Sequence, residues 1–501
     1  MTDRNKSILD YNEPTYDASS HLWDLFEQSY YGGERYNKAA NIHTHRLESE
    51  GDFGRRVQRA YYENRCKRPV DRRVGFLYSS PIKYDPKPPE YLWNSADNYN
   101  NSLEEFFKRV TKSATVFGYC PVLIDRPFTD KVDQTVLQEQ EDGIRTYLTA
   151  YSPRDLLNWE ADDKGVFKWV VLRDSGPEGE LGLNDQGLPT LNKDMAEYRM
   201  VWTPQIWQRY RGVQKNRMDE GIEWTLVGEG INPVGQVPLV SVRIDPDPKS
   251  QVVGVSLLNN IAMLNKELLN KQSLKQEILY RQTFPQLVAQ GTAEDYLEEG
   301  GTDPTLGAGY IVIYPEDMNA PSFIQPDGVS ASTLQEDIDS IRNEIAEISG
   351  EDPNAINQSM TAESGEAKRR RFMATNAVLK DNGTTLENDF SRILNIVAAW
   401  DNTSEVFVVD FPDQFDLDGG QEIQENTKVD LEILGDSTTA KEDIYDGYVG
   451  NRYPEMDEAR RNQIVKELTE VKEVPELEVL PEVPKLEVIP DGNETDIQDK
   501  E

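Results

Sequence analysis

An α+β fold follows from three features of the 501-residue chain. Helical spacing dominates the first 118 residues, alternation of period two takes over to about residue 245, and two long apolar-striped helices then bracket a short β-rich stretch. The chain is 37% hydrophobic and 9% aromatic, enough to build a core, and its length suits about three domains. Lys and Arg number 53 against 90 Asp and Glu, a formal charge of −37, which excludes a bulk electrostatic grip on nucleic acid. Any nucleic acid would have to meet local basic patches.

Taken in order, Ser19 or Ser20 is placed to cap a helix carrying Leu22, Leu25, Phe26 and Tyr30. A second helix runs from Leu103 to Val116, with Leu103, Phe106, Phe107 and Val110 on one side, and stops at Gly118. The apolar run YCPVLIDRP then reads as a strand. Further strands are expected at Arg145–Tyr151, Val166–Arg173, Glu197–Trp202, Ile206–Tyr210, Trp224–Gly228 and Val237–Ile244. Turn-rich breaks separate them, so a sandwich or meander is expected rather than a doubly wound sheet.

The helix opened by Gly254 and Ser256 runs to about Gln282, with Leu257, Ile261, Leu264 and Leu268 at steps of 4, 3 and 4. A small β-module, Phe284 to Pro326, follows. Thr333 and Glu336 suggest a capping box for the next helix, whose Leu334, Ile338, Ile341, Ile345 and Ile348 repeat at 4, 3, 4 and 3 until Gly350. The two helices should fold into a hairpin with the β-module at its tip. Beyond the polar stretch EDPNAINQSM, a long helix is expected from Thr361 to Trp400, with a break at Asp381-Asn382-Gly383. Glu405–Phe411 reads as a strand, and residues 435–470 as a small, charge-rich helical unit. The end repeats EVPELEVLP (473–481) as EVPKLEVIP (482–490), where proline forbids helix. That tail is either loosely attached or a docking peptide.

Enzyme signatures are sparse. No Gly-Lys dipeptide occurs, so there is no P-loop, and neither Gly-x-Ser-x-Gly nor His-Glu-x-x-His is present. His43 and His45, two of three histidines, would share one face of a strand as some metal sites require, or form an ordinary polar surface pair. Asp410 with Asp413, or Asp416 with Asp418, could bind a divalent ion or form a solvated acidic turn. Cys66 and Cys120 make no disulfide framework and fit a reducing compartment. The start, MTDRNKSILDYNEP, has no signal-peptide stretch, and no run approaches the ~18 apolar residues of a membrane span, so a soluble protein of intracellular origin is expected.

Basic residues gather at Arg55, Arg56, Arg59, Arg65, Lys67, Arg68, Arg72 and Arg73, with Tyr61 and Tyr62 among them, and again at Lys368, Arg369, Arg370 and Arg371. Each cluster suits either DNA or subunit contact, or ion pairing with this chain's many acids. The second hairpin helix carries Glu336, Asp337, Asp339, Glu344 and Glu347 against Arg342 alone. It is either a solvated face or an acidic wall past which DNA slides without releasing counterions.

In this order of parts the sequence resembles the portal proteins of tailed bacteriophages. The segments VFGYCPVLIDRP, AYSPRDLLNW, NPVGQVPLV, GVSLLNNIAMLN and MTAESGEAKRRR share in the resemblance, which covers about Ser19 to Glu470. It implies a portal-like fold: wing 1–253, first stem helix 254–283, clip 284–330, second stem helix 331–349, tunnel loop 350–360, wing helix and strand 361–434 and crown 435–470, followed by the acidic tail 471–501. The tunnel loop would present Glu351, Asp352, Pro353, Asn354, Asn357 and Gln358. The implied role is non-enzymatic, with no cofactor: a homo-oligomeric ring of twelve at a capsid vertex of the virion, assembled in the host cytoplasm. Double-stranded DNA would pass through it during packaging and ejection. Implied partners are the terminase large subunit, the major capsid or scaffolding protein, and adaptor or neck proteins. Two alternatives stay open: a metal-dependent nuclease or phosphodiesterase using His43, His45 and nearby carboxylates, and another phage head-completion structural protein.

Overall fold

The computed structural model describes residues 8–97, 99–127, 144–177, 195–214, 222–283, 286–288, 322–324, 329–350, 365–412, 427, 430–431, 437–452, 456 and 458–470. It is mixed helix and sheet, an α+β protein. The chain divides into two compact units, Met1–Phe415 and Asp416–Glu501.

The first unit opens with α1 (Pro14–Tyr31), α2 (Lys38–Asn41), α3 (Glu50–Arg59), α4 (Lys67–Leu77), β1 (Lys83–Asp85), α5 (Glu90–Asn94) and α6 (Leu103–Phe117). α1 begins five residues before Ser19, because Pro14 pre-sets the first helical φ and the Glu13 carboxylate accepts the Thr15 N–H at 2.6 Å. Ser20 lies inside the helix and donates to the Asp17 carbonyl instead. α6 matches its expected span, capped by Ser102 and closed by Gly118 at φ 99°. A Cβ on Gly118 would fall 2.3 Å from the Gly254 carbonyl oxygen, so only glycine fits where the two chain segments touch.

β2 (Tyr119–Asp125) pairs antiparallel on one side with β3 (Tyr147–Ala150) and on the other with β9 (Leu239–Arg243), so Val122 faces Ala150 and Val240. Its alternation divides the interior. Cys120, Val122 and Ile124 enter a core with α6, while Tyr119 and Leu123 enter a second core with α1.

Between β3 and β9 runs the meander β4 (Leu156–Ala161), β5 (Phe167–Pro177), β6 (Met195–Trp202), β7 (Ile206–Gln214) and β8 (Ile222–Ile231), a five-stranded antiparallel sheet in sequence order. β4 was not expected; LLNWEA lacks alternation because Leu156, Leu157 and Asn158 are buried together.

α7 (Leu258–Thr283), β10 (Gln286–Val288), β11 (Ser322–Ile324), α8 (Val329–Ile348), α9 (Gly365–Trp400) and β12 (Val408–Asp410) complete the unit. α8 starts at Val329, so the expected capping box does not form: the Ser332 and Thr333 hydroxyls both donate to the Val329 carbonyl, at 2.8 and 3.0 Å. α9 is unbroken across Asp381-Asn382-Gly383. Asn382 is buried and donates to the Ile244 carbonyl at 3.0 Å, and Gly383 admits the Phe411 side chain, which a Cβ would meet at 3.3 Å. Tertiary contacts therefore override a sequence that favours a turn. Phe390 of α9 stacks on Phe107 of α6, ring centres 3.9 Å apart. Only Val408–Asp410 of the strand expected at 405–411 is paired, with β1.

In the second unit, α10 (Thr438–Arg452) and α11 (Glu458–Glu470) form a helical pair. Val449 and Val465 are buried, and Arg461 is ion-paired to Asp446 at 2.6 Å.

Candidate functional site

The helix pair α7–α8 forms as the apolar spacing requires. Leu258, Ile261 and Leu268 share one core with Ile338, Ile341 and Ile345. Lys271 meets Asp337 at 2.9 Å and Lys275 bonds Gln335, so numbers rise along one helix as they fall along the other and the pair is antiparallel. Between the helices in sequence, β10 and β11 pair with Leu287 opposite Phe323. The result is a helix–β–helix hairpin.

α7 also buries four polar side chains, Asn265, Asn270, Gln272 and Ser273. They hold the segment between α2 and α4. Asn265 accepts the Arg65 N–H at 2.8 Å and donates to the Glu63 carbonyl at 2.9 Å. Asn270 accepts the His43 N–H at 2.7 Å and donates to the Asn41 carbonyl at 3.0 Å. Ser273 accepts from Arg56 at 2.9 Å, and Gln272 donates to the Glu63 carboxylate. An amide side chain satisfies a backbone N–H and a C=O together, which makes its burial tolerable.

Glu63 links both helices, because Arg342 of α8 also donates to it at 2.6 Å and Arg65 flanks it. Burial pushes its carboxyl pKa up, but the hydrogen bonds from Arg342 and Arg65 outweigh that and hold it below the usual carboxylate range. Cys66 sits beside this network; burial pushes its thiol up to about 12, away from reactivity at neutral pH.

The acidic positions of α8 separate into two groups. Asp337 and Asp339 are ion-paired to Lys271 and Arg342, whereas Glu336, Glu344 and Glu347 are exposed and make no ion pair among the described residues. The first basic cluster is divided, with Arg56 and Arg59 turned inward and four of its eight members exposed. Arg56, with a side chain only 4% exposed, directs its donors to Glu48, Ser273 and the His43 carbonyl. Arg59 pairs with Glu277 and covers the Tyr280 ring. Arg55 is exposed and pairs with Asp52 at 2.6 Å, while Lys67, Arg68 and Arg72 are exposed on α4.

His43 and His45 lie in a loop, not a strand, so the shared-face argument for them fails; His45 Nδ1 accepts the Leu47 N–H. Among the described residues no group of three or more His, Cys, Asp or Glu could hold a metal ion, and no helix is long and apolar enough to cross a membrane. Lys368, Arg369, Arg370 and Arg371 fall within α9, but their side chains lie outside the described residues. So do Glu351, Asp352, Pro353, Asn354, Asn357 and Gln358, the tail, and Asp413, Asp416 and Asp418. Sequence reasoning missed Asn265, Asn270 and Glu63. The available signal was Asn265 and Asn270 lying next to the apolar positions Leu264, Leu268 and Leu269 of the helix.

Comparison with known proteins adds little. The model of a family described as a domain of unknown function (DUF4055) matches residues 257–401, the span from α7 to the end of α9 and less than a third of the chain. No curated protein matches. Among solved structures the chain is similar to a chain in the neck of an empty GTA particle computed with C6 symmetry, at 12% identity and TM-score 0.38, covering 74% of this chain and 86% of that one. A chain in the neck of a native GTA particle computed with C12 symmetry gives 12% identity and TM-score 0.38, over 80% of this chain and 90% of that one. A chain in the virion of a native gene transfer agent particle gives 11% identity at the same TM-score, over 74% and 85%. Likeness at this level fixes neither fold nor role.

Proposed function

We propose that this chain is a non-enzymatic structural subunit of a tailed-phage-type particle, a portal that forms a closed ring at one capsid vertex. The observation that carries this reading is the antiparallel α7–α8 pair joined through the β10–β11 pair, anchored by α7 and exposing Glu336, Glu344 and Glu347 on α8. Repeated around a ring, such a pair places its anchored helix in the body and a row of carboxylates on a wall. Double-stranded DNA passes such a wall without condensing on it, because like charges repel and no counterions are released. The β-tipped end of the hairpin is where a packaging motor, and later neck or adaptor proteins, would dock. A closed ring also covers surface that a single copy leaves to solvent.

Light scattering of the purified 57.1-kDa chain tests this. A species near 685 kDa, about twelve copies, supports the ring. A monodisperse monomer at all concentrations contradicts it.

A further inference from the structure

At the base of the α7–α8 pair, opposite its β-tipped end, a cleft of about 190 Å³ opens in the first unit. Arg73 of α4, Asp245 after β9, Asn259 and Asn260 at the start of α7 and Ile348 at the end of α8 line it. Arg73 is its unsatisfied member. The side chain is partly buried, yet among the described residues it makes no hydrogen bond and no ion pair. Burial pushes its pKa below the usual value, and the charge of Asp245 only partly opposes this. The Asp245 carboxylate is exposed and not within ion-pair distance, so water screens it. The Arg73 nitrogens keep accessible surface, unlike the enclosed Arg199 Nη1 and Arg243 Nε, so an incoming group can reach them.

The other polar groups divide into spent and free. Ser256 Oγ donates to the Val116 carbonyl at 2.5 Å and accepts the Leu258 N–H at 3.0 Å. Thr115 Oγ1 donates to the Thr111 carbonyl at 2.8 Å, so neither hydroxyl is available. The Asn259 and Asn260 side chains are exposed and make no hydrogen bond among the described residues. Val255 and Ile348, 38% and 42% exposed, add apolar surface. Other arginines near the helix pair are satisfied within the copy: Arg56 by Glu48, Arg59 by Glu277 and Arg342 by Glu63. A partly buried guanidinium without a partner is a standing cost, and a carboxylate matches its fork of donors.

We propose that this cleft receives an Asp or Glu side chain from a second copy of this chain, whose carboxylate pairs with Arg73 and completes the site. The proposal rests on the ring reading above. Two copies of charge −37 repel each other, so a contact between them needs a cation that is not already spent inside one copy. Arg73 is such a cation. With 90 Asp and Glu, the second copy has carboxylates to offer, whereas its net charge repels nucleic-acid phosphate. The cleft is sized for a side chain, whose methylenes would pack on Val255 and Ile348 while the two asparagine amides donate to the carboxylate. Around a ring the contact would repeat head to tail, once per copy.

Two variants of the full-length chain test this. Arg73→Gln should leave the circular dichroism spectrum unchanged and raise about tenfold the concentration at which the assembly dissociates, read by mass photometry. Arg73→Lys keeps the charge and supplies an amine. A water-soluble carbodiimide condenses that amine with a carboxylate in contact, forming an amide while the carbodiimide takes up the water as a urea. In a mixture of heavy-isotope-labelled and unlabelled Arg73→Lys chains, mass spectrometry should find position 73 joined to an Asp or Glu across the two labels. No cross-link at position 73, or one to Asp245 of the same copy alone, would overturn the proposal. So would an Arg73→Gln assembly as stable as the unsubstituted one, including the case in which that variant instead weakens binding of labelled double-stranded DNA. If the unsubstituted chain forms no ring, the ring reading fails, yet a cross-link across copies in a smaller assembly would still support the cleft.

Discussion

α7 and α8 carry similar apolar stripes, yet α7 buries four polar side chains among the described residues and α8 buries none. The contrast follows from their neighbours. α7 runs beside a chain segment whose backbone groups at residues 41, 43, 63 and 65 need partners, and Asn265 and Asn270 supply them. α8 packs one stripe inward and leaves its other side to solvent, where glutamates are the inexpensive choice. One helix is therefore anchored along its buried side by polar contacts, and the other presents carboxylates to solvent.

Cutting the anchor should hurt most. Arg56→Met removes a buried guanidinium and strands Glu48, at a cost of about 3–5 kcal/mol, read as a shift of the urea midpoint. The corresponding change on the surface helix, Arg342→Met, should cost about 1 kcal/mol or less because that side chain is partly solvated. Equal costs would erase the distinction. Asn270→Leu should cost about 1–3 kcal/mol and raise hydrogen exchange at the His43 amide, which loses its acceptor; unchanged exchange there would show that the amide is not anchoring the segment.

Acid should loosen the link between the helices. Glu63 is held below its unfolded pKa of about 4.3, so its contribution is complete above that value and lost as pH falls through the folded pKa. Glu63→Gln should flatten the acid limb of stability, whereas an identical limb would remove Glu63 from the linkage. Smallest of all is the effect on the presented face: Glu336→Gln with Glu344→Gln and Glu347→Gln should change stability by no more than about 0.5 kcal/mol. A larger loss would make those carboxylates structural.

Local signals account for what was legible. The stripe at 338, 341 and 345 is set by helical geometry alone, and the α8 partner and its pairing with α7 followed from it. The meander was readable from alternation and turns, with β4 escaping because its side chains are buried without alternation. The anchor was hidden because it joins residues some two hundred positions apart, as Arg56 does with Ser273 and Asn265 with Arg65. The same distance effect hid the pairing of Arg59 with Glu277 on α7. The unbroken α9 repeats the lesson: Asp381-Asn382-Gly383 reads as a turn until Asn382 finds the Ile244 carbonyl.

Electron microscopy of the purified full-length chain tests the ring most directly. End-on averages should show a closed ring with a central hole, and side-chain labels on a Glu344→Cys variant should map to that hole, the native Cys66 and Cys120 being buried. Isolated single copies, or a ring with those labels on its outer rim, would contradict the account.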